Sequence, residues 1–354
     1  MKPFYISLLG LSLLAACGDT NPLGYADFGE ETVDEVTDDG EIPDIEVPDG
    51  EVVDGETEDV PEGAVGLRET ATPYTTQTVT LNDDNTLTVV GLPFDGNDRY
   101  IDSGIRRGPN AARPQFVAFI ADPTTIDDDY DGGADGPITQ DNYIAMRSES
   151  ATGRTRVTVV RSGAYADHGF GGYLVERDRG ATLPTEGQGN YVGNYAGLRT
   201  FDGRADIQLT DGDMLVEVDF EDLSDSGALR GTVYNRSMYE SDGTRISNLP
   251  NISFVVQPYN IGSNEHIDGE LRTRYVATYV DTREDALIEA PGTYSALFVG
   301  DNAEELVGTL TITTPGYMEL QDVVTVDGDT FERYLVLDDV VSETRETGGY
   351  VLER

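Results

Sequence analysis

Gly292-Thr293-Tyr294-Ser295-Ala296-Leu297-Phe298-Val299-Gly300-Asp301-Asn302-Ala303-Glu304-Glu305-Leu306-Val307-Gly308-Thr309-Leu310 is the stretch that decides how this 354-residue chain folds. It reads as a strand, a tight corner and a returning strand. Tyr294 and Phe298 are four residues apart, so in an extended segment they share one face. Gly300 and Gly308 permit a turn or close packing of backbone, and Ala303 is small enough for the corner. Gly292, Tyr294, Phe298, Gly300, Asn302, Ala303, Glu304, Glu305 and Gly308 are expected to hold structure together rather than to touch a ligand.

The alternation continues on either side of this stretch. Met214, Val216, Val218 and Phe220 fall on one face, and Glu217 and Asp219 on the other. That period of two is the signature of a half-buried strand. Many short runs of this kind lie between residues 76 and 176 and again between 191 and 352, with no convincing helical period. The 19 tyrosines and 40 glycines suit strands and tight turns. An antiparallel sandwich or closed barrel follows, and closure removes the exposed edges that invite aggregation. Phe170-Gly171-Gly172-Tyr173-Leu174-Val175-Glu176-Arg177 and the terminal Gly348-Gly349-Tyr350-Val351-Leu352-Glu353-Arg354 are two copies of one closing strand. Their paired glycines let it bend or approach another backbone. Between the copies, Asp178 to Gly189 reads as a linker. The expected organisation is a small β domain over 68–178, a linker over 179–189 and a second β domain over 190–354.

The quoted stretch also resembles the barrel signature of transferrin-binding protein B, Gly-x-Tyr-x-x-x-Phe-x-Gly-x-x-Ala-x-Glu-hydrophobic-x-Gly. Gly193-Asn194-Tyr195-Ala196-Gly197 is similar to that family's first barrel strand. Related barrels occur in factor-H-binding and haemoglobin-receptor surface lipoproteins. The resemblance implies an all-β chain: a tether, a handle-like small β domain, then an antiparallel barrel of about eight strands. It further implies a lipoprotein that captures an extracellular protein or an iron or haem carrier through variable loops, with an outer-membrane receptor as a second partner. Glu304 and Glu305 are expected to cap backbone amides at the corner or to pair with a barrel arginine.

The chain begins with Lys2, a short apolar run from Ile6 to Leu14, and Leu13-Leu14-Ala15-Ala16-Cys17. The run is too short for a bilayer span and has the order of a signal peptide. It resembles the lipobox of bacterial lipoproteins, so residues 1–16 are expected to be removed and Cys17, the single cysteine, to be acylated. Several acyl chains hold a protein firmly to a membrane. With that thiol acylated, a disulfide scaffold or zinc-thiolate site lacks material. The resemblance points to the outer membrane, with the head at the cell surface and the periplasmic face as the alternative. From Gly18 to Leu67 there are eighteen acidic residues and no Lys, Arg or His. Self-repulsion and scattered Pro and Gly make 17–67 a disordered acidic tether, reaching on the order of 40 Å or more. Loose divalent-cation binding is the rival reading of those acids.

A formal net charge of −44 repels nucleic acid and anionic headgroups. Lys2 is the only lysine, a composition that hints at a saline habitat. Catalytic material is thin. His168 and His266 are the only histidines, and neither a nucleophile elbow nor a phosphate loop occurs. Asp102-Ser103-Gly104 mimics an aspartic-protease loop but reads as a turn. No enzyme is expected. Asp127, Asp129, Asp131 and Gly132 match the first ligand positions of a calcium loop, but Ile138 stands where a bidentate Glu belongs. Asp135 would have to compensate, and a solvated hairpin loop is the alternative. No cofactor is expected other than calcium at this loop. The function expected is an outer-membrane-anchored binding lipoprotein; a structural envelope lipoprotein without soluble cargo is the alternative.

Overall fold

The computed structural model describes residues 65–68, 75–93, 95, 98–121, 143–163, 168–202, 204–223, 228–255, 265–280, 282–314, 317–337 and 343–354. The segment read as a lipobox with Cys17, almost all of the acidic segment, and the Asp127–Asp135 loop lie outside these residues. The described residues of Pro48–Arg354 belong to one compact unit and form two sheets.

The first sheet comprises β1 (Val65–Arg68), β2 (Thr78–Leu81), β3 (Thr86–Val90), β4 (Arg99–Arg107), β5 (Phe116–Ala121), β6 (Ile144–Glu149), β7 (Thr155–Arg161) and β8 (Gly171–Arg177). Its order is β1-β8-β7-β6-β5-β4-β3-β2, a meander whose first strand returns to pair with its last. β1 begins at Val65, inside the range read as tether, because Leu67 is buried and Val65 lies opposite Arg177. β4 corrects the reading of Asp102-Ser103-Gly104 as a turn. The segment is a bulge in a strand, where the register slips between Asp102 and Arg106. Asp102 accepts from the Gly104 amide at 2.8 Å and from Arg106 at 2.8 and 2.7 Å, which occupies the carboxylate locally.

The second sheet comprises β9 (Gln188–Phe201), β10 (Arg204–Asp219), β11 (Leu229–Glu240), β12 (Arg245–Asn248), β13 (Ile252–Phe254), β14 (His266–Tyr279), β15 (Asp285–Val299), β16 (Glu305–Thr314), β17 (Tyr317–Val326), β18 (Asp329–Leu337) and β19 (Thr344–Glu353). Strands β9, β10, β11, β13, β14, β15, β16 and β19 pair in that cyclic order, all antiparallel, and β19 closes on β9. The expected eight-stranded barrel is therefore present and closed. The short β13 supplies the closing contact, pairing with both β11 and β14. Outside the ring, the β17–β18 hairpin departs from the antiparallel expectation, because β18 lies parallel to the far end of β14.

Alternation decides what fills the barrel. Met214, Val216, Val218 and Phe220 all enter its core with Tyr191, Tyr294, Phe298 and Leu352, while Glu217 is exposed. A second cluster joins the sheets: Phe116, Met146, Val157 and Val175 from the first pack with Leu198, Leu297, Val307 and Val351 from the outer face of the barrel. A sheet with both faces buried has few exposed positions, which explains the near-continuous burial along β7 and β16. The loop between β4 and β5 adds a polar junction. Asn194 on β9 accepts from the Asn110 amide at 3.1 Å and donates to the carbonyls of Asn110 and Pro114 at 2.9 Å each.

Candidate functional site

The signature stretch forms the β15–β16 hairpin, with its corner at Gly300–Glu304. Its side chains divide between two jobs. Tyr294 stacks on Phe254 with centroids 4.0 Å apart, and Phe298 packs within 5.9 Å of Tyr191 and 6.1 Å of Phe220 inside the barrel. Tyr191 donates its hydroxyl to the carbonyl of Ala303, a buried residue in the left-handed region (φ 49°). Gly308 lies opposite Tyr350, and a Cβ there would stand 2.6 Å from the tyrosine oxygen. These residues hold the barrel.

The corner itself faces the first sheet. Glu305, 2% exposed, accepts from the hydroxyl of Thr155 at 2.9 Å and from that of Thr152. Glu304 lies 4.0 Å from Arg154. Among the described residues, the partners of both glutamates are neither corner amides nor a barrel arginine but side chains on the tip between β6 and β7, which closes over this corner. Asn302 is exposed and gives its carbonyl to Arg354 at 3.0 Å. The segment between β8 and β9, read as a linker, is tied to the same corner, since Thr182 donates to the Gly300 carbonyl at 3.0 Å.

The other polar cluster is inside the barrel. Glu346, 4% exposed, accepts both 2.6 Å bonds from Arg236, one of 2.6 Å from the Tyr195 hydroxyl and one of 2.9 Å from Thr210. Arg199 lies 3.9 Å away and donates to Gln208 at 3.0 Å. Burial raises the cost of the carboxylate, but the guanidiniums of Arg236 and Arg199 outweigh it and hold the Glu346 carboxyl below its ordinary range. Sequence reading missed this group. The available signal was alternation, because Glu346 precedes the inward-facing Gly348 and Tyr350 by two and four residues.

Of the two histidines, His168 reaches Glu343 at 2.9 Å. His266 lies 3.0 Å from Asp268, whose carboxylate also accepts from Ser295. Although these three residue types make hydrolytic triads, the order is wrong: the aspartate stands between serine and histidine, so the imidazole is not placed to take the hydroxyl proton. Burial of Asp268 raises its pKa in part, but bonds from His266 and Ser295 leave it lowered.

No family model and no curated protein matches the chain. Among solved structures it is similar to a double-mutant vaccine antigen, transferrin-binding protein B from Haemophilus parasuis, with 13% identity, 60% of this chain and 34% of that one covered, and a TM-score of 0.32. It is also similar to the isotype 1 transferrin-binding protein B from serogroup B Neisseria meningitidis, with 12% identity, coverage of 82% and 43%, and a TM-score of 0.32. The likeness is to transferrin-binding protein B. A third similar structure is described as a surface lipoprotein, with 11% identity, coverage of 71% and 97%, and a TM-score of 0.28. The chain spans well under half the length of the transferrin-binding proteins it matches.

Proposed function

We propose that this chain is an outer-membrane lipoprotein, anchored through Cys17, whose head binds a partner outside the cell through loops at the barrel end. The partner class is an extracellular protein or an iron or haem carrier. One observation carries the choice of a surface binder over a carrier of small ligands: the described barrel interior is filled. Tyr191, Tyr195, Tyr294, Phe298 and Tyr350 occupy one length of it, and the Glu346–Arg236–Arg199 group continues the filling. An eight-stranded barrel has an interior just wide enough for its own side chains or for one small ligand. Here side chains take that space, which leaves recognition to the outside. The acidic segment supplies reach, and the lipobox supplies attachment.

Protease shaving of intact cells tests this reading. Loss of the head epitope, with a periplasmic control intact, is the expected result. Protection until the outer membrane is broken would overturn surface capture and leave a structural envelope role. A protease that cuts after lysine is unsuitable, because Lys2 is the only lysine.

A further inference from the structure

The two copies of Gly-Gly-Tyr-(Leu/Val)-(Val/Leu)-Glu-Arg are the closing strands β8 and β19, and they turn opposite faces to the junction: Tyr173 and Val175 of the first face it, whereas Tyr350 and Leu352 of the second enter the barrel and leave Gly349 and Val351 to face it. β8 closes on the second strand of the β6–β7 hairpin, with Val175 opposite Val157. β19 closes on the second strand of the β15–β16 hairpin, with Val351 opposite Val307. The two units, each a hairpin plus a closing strand, face one another across a shared cluster containing all four valines. Gly349 gives the approach its closeness, since a Cβ there would meet Val157 at 2.6 Å.

Polar contacts cross this interface in both directions. Arg177, ending the first copy, donates at 2.6 Å to the carbonyl of Phe298 in the second hairpin. Glu353, near the end of the second copy, accepts at 3.2 Å from the amide of Ala151 in the first. Each closing strand thus grips the other unit's hairpin, through non-equivalent residues, since Arg354, the counterpart of Arg177, donates to the carbonyls of Asn302 and Gln188 instead. At the centre the hairpin tips meet, where Glu305 takes its bonds from Thr152 and Thr155.

We propose that Glu305 is the clasp holding the two hairpin tips and the segment between β8 and β9 in one geometry. A carboxylate this buried is stable only while its donors are in place, so the two tips are ordered together or not at all. That segment shares the arrangement, because Gly180, Ala181 and Thr182 are tied to Gly300 and Glu265.

Hydrogen exchange and cleavage after the exposed Arg179 test it on the full chain. Glu305→Gln, and separately the Thr152→Val, Thr155→Val double variant, should each speed cleavage at Arg179 at least tenfold. Both should speed exchange at the two tips while leaving β10 as protected as in the parent. Glu353→Gln should loosen the β6–β7 tip, on the opposite unit from the substitution. Glu217→Gln, at an exposed site on β10, should change neither readout. A uniform rise in exchange across the barrel would mean general destabilisation and would overturn the clasp, as would unchanged cleavage in both clasp variants. Should Glu305→Gln fail to fold, the threonine double variant decides the question alone.

Discussion

Several glycines in the barrel wall stand under tyrosine rings. Tyr350 covers Gly308 and Tyr195 covers Gly348, where an added Cβ would stand 2.2 Å from the Tyr195 oxygen. The ring fills the space that a side chain would have taken, so Gly348→Ala forces a buried ring to move and should cost about 1–3 kcal/mol. Chemical denaturation with an unchanged slope checks this, and a loss below about 0.5 kcal/mol would contradict the packing. Glu346→Ala should cost more, about 3–5 kcal/mol, because Arg236 keeps its charge in a buried site with no carboxylate to meet it. Replacing both Glu346 and Arg236 with apolar residues of similar volume should recover much of that loss.

Asp95 acts in the opposite sense. It is 4% exposed and accepts from the Tyr100 hydroxyl at 2.9 Å, and burial pushes its carboxyl up to about 7. The folded chain therefore holds a proton that the unfolded chain releases near pH 4. Stability contributed by this group falls as pH rises from about 4 to 7, by up to about 1.4 kcal/mol per pH unit, and then levels off. Glu346, whose carboxyl is lowered in the folded state, contributes stability above its unfolded value near 4 that disappears as pH falls further. In a stability–pH series, Asp95→Asn should flatten the limb between pH 4 and 7 and leave the acid limb in place.

Among the elements, the β17–β18 hairpin lies outside the ring, with its base packed through Met318, Tyr334 and Val336 on Met238, Tyr275 and Ala277 and its tip exposed. It turns through Asp327 and Gly328, both with positive φ (52° and 94°), as a two-residue turn matching the twist of its strands requires. Val323 on β17 is 61% exposed, and a Cβ at Gly328 would meet nothing within 4 Å. Gly328→Ala therefore isolates backbone strain, about 1 kcal/mol, from any packing change. The expected result is faster amide exchange at the tip of the hairpin with little change in global stability. A global loss as large as that of Gly348→Ala would show that the hairpin is coupled to the barrel more tightly than its exposure indicates.

At the scale of the molecule, both sheets contribute to one apolar cluster, and two polar junctions flank it. Apolar burial of this kind is the main favourable term in folding, and it makes the two sheets depend on each other. The described head should unfold in a single transition. Two resolved calorimetric steps would show the junction to be weaker than its burial implies. With a formal charge of −44, the compact state also carries self-repulsion, so adding salt should raise the melting temperature through screening.

Much of this was legible in the chain itself. Period-two alternation identified the strands around Met214–Phe220, and the glycine–tyrosine pattern located the β15–β16 hairpin. These are local signals, set by the pleat of a single strand. β1 and β4 were not legible: one is four residues long, and the other is interrupted by a bulge at Asp102–Arg106. The partners of Glu305 and Glu346 were out of reach for a different reason. Thr152 precedes Glu305 by 153 residues, and Arg236 precedes Glu346 by 110. Sequence by itself determined that the chain forms strands and where most of them lie, and it placed the single cysteine just after a short apolar run. Tertiary structure alone decided which strands closed the ring and which carboxylates were buried, because both depend on contacts between segments far apart along the chain.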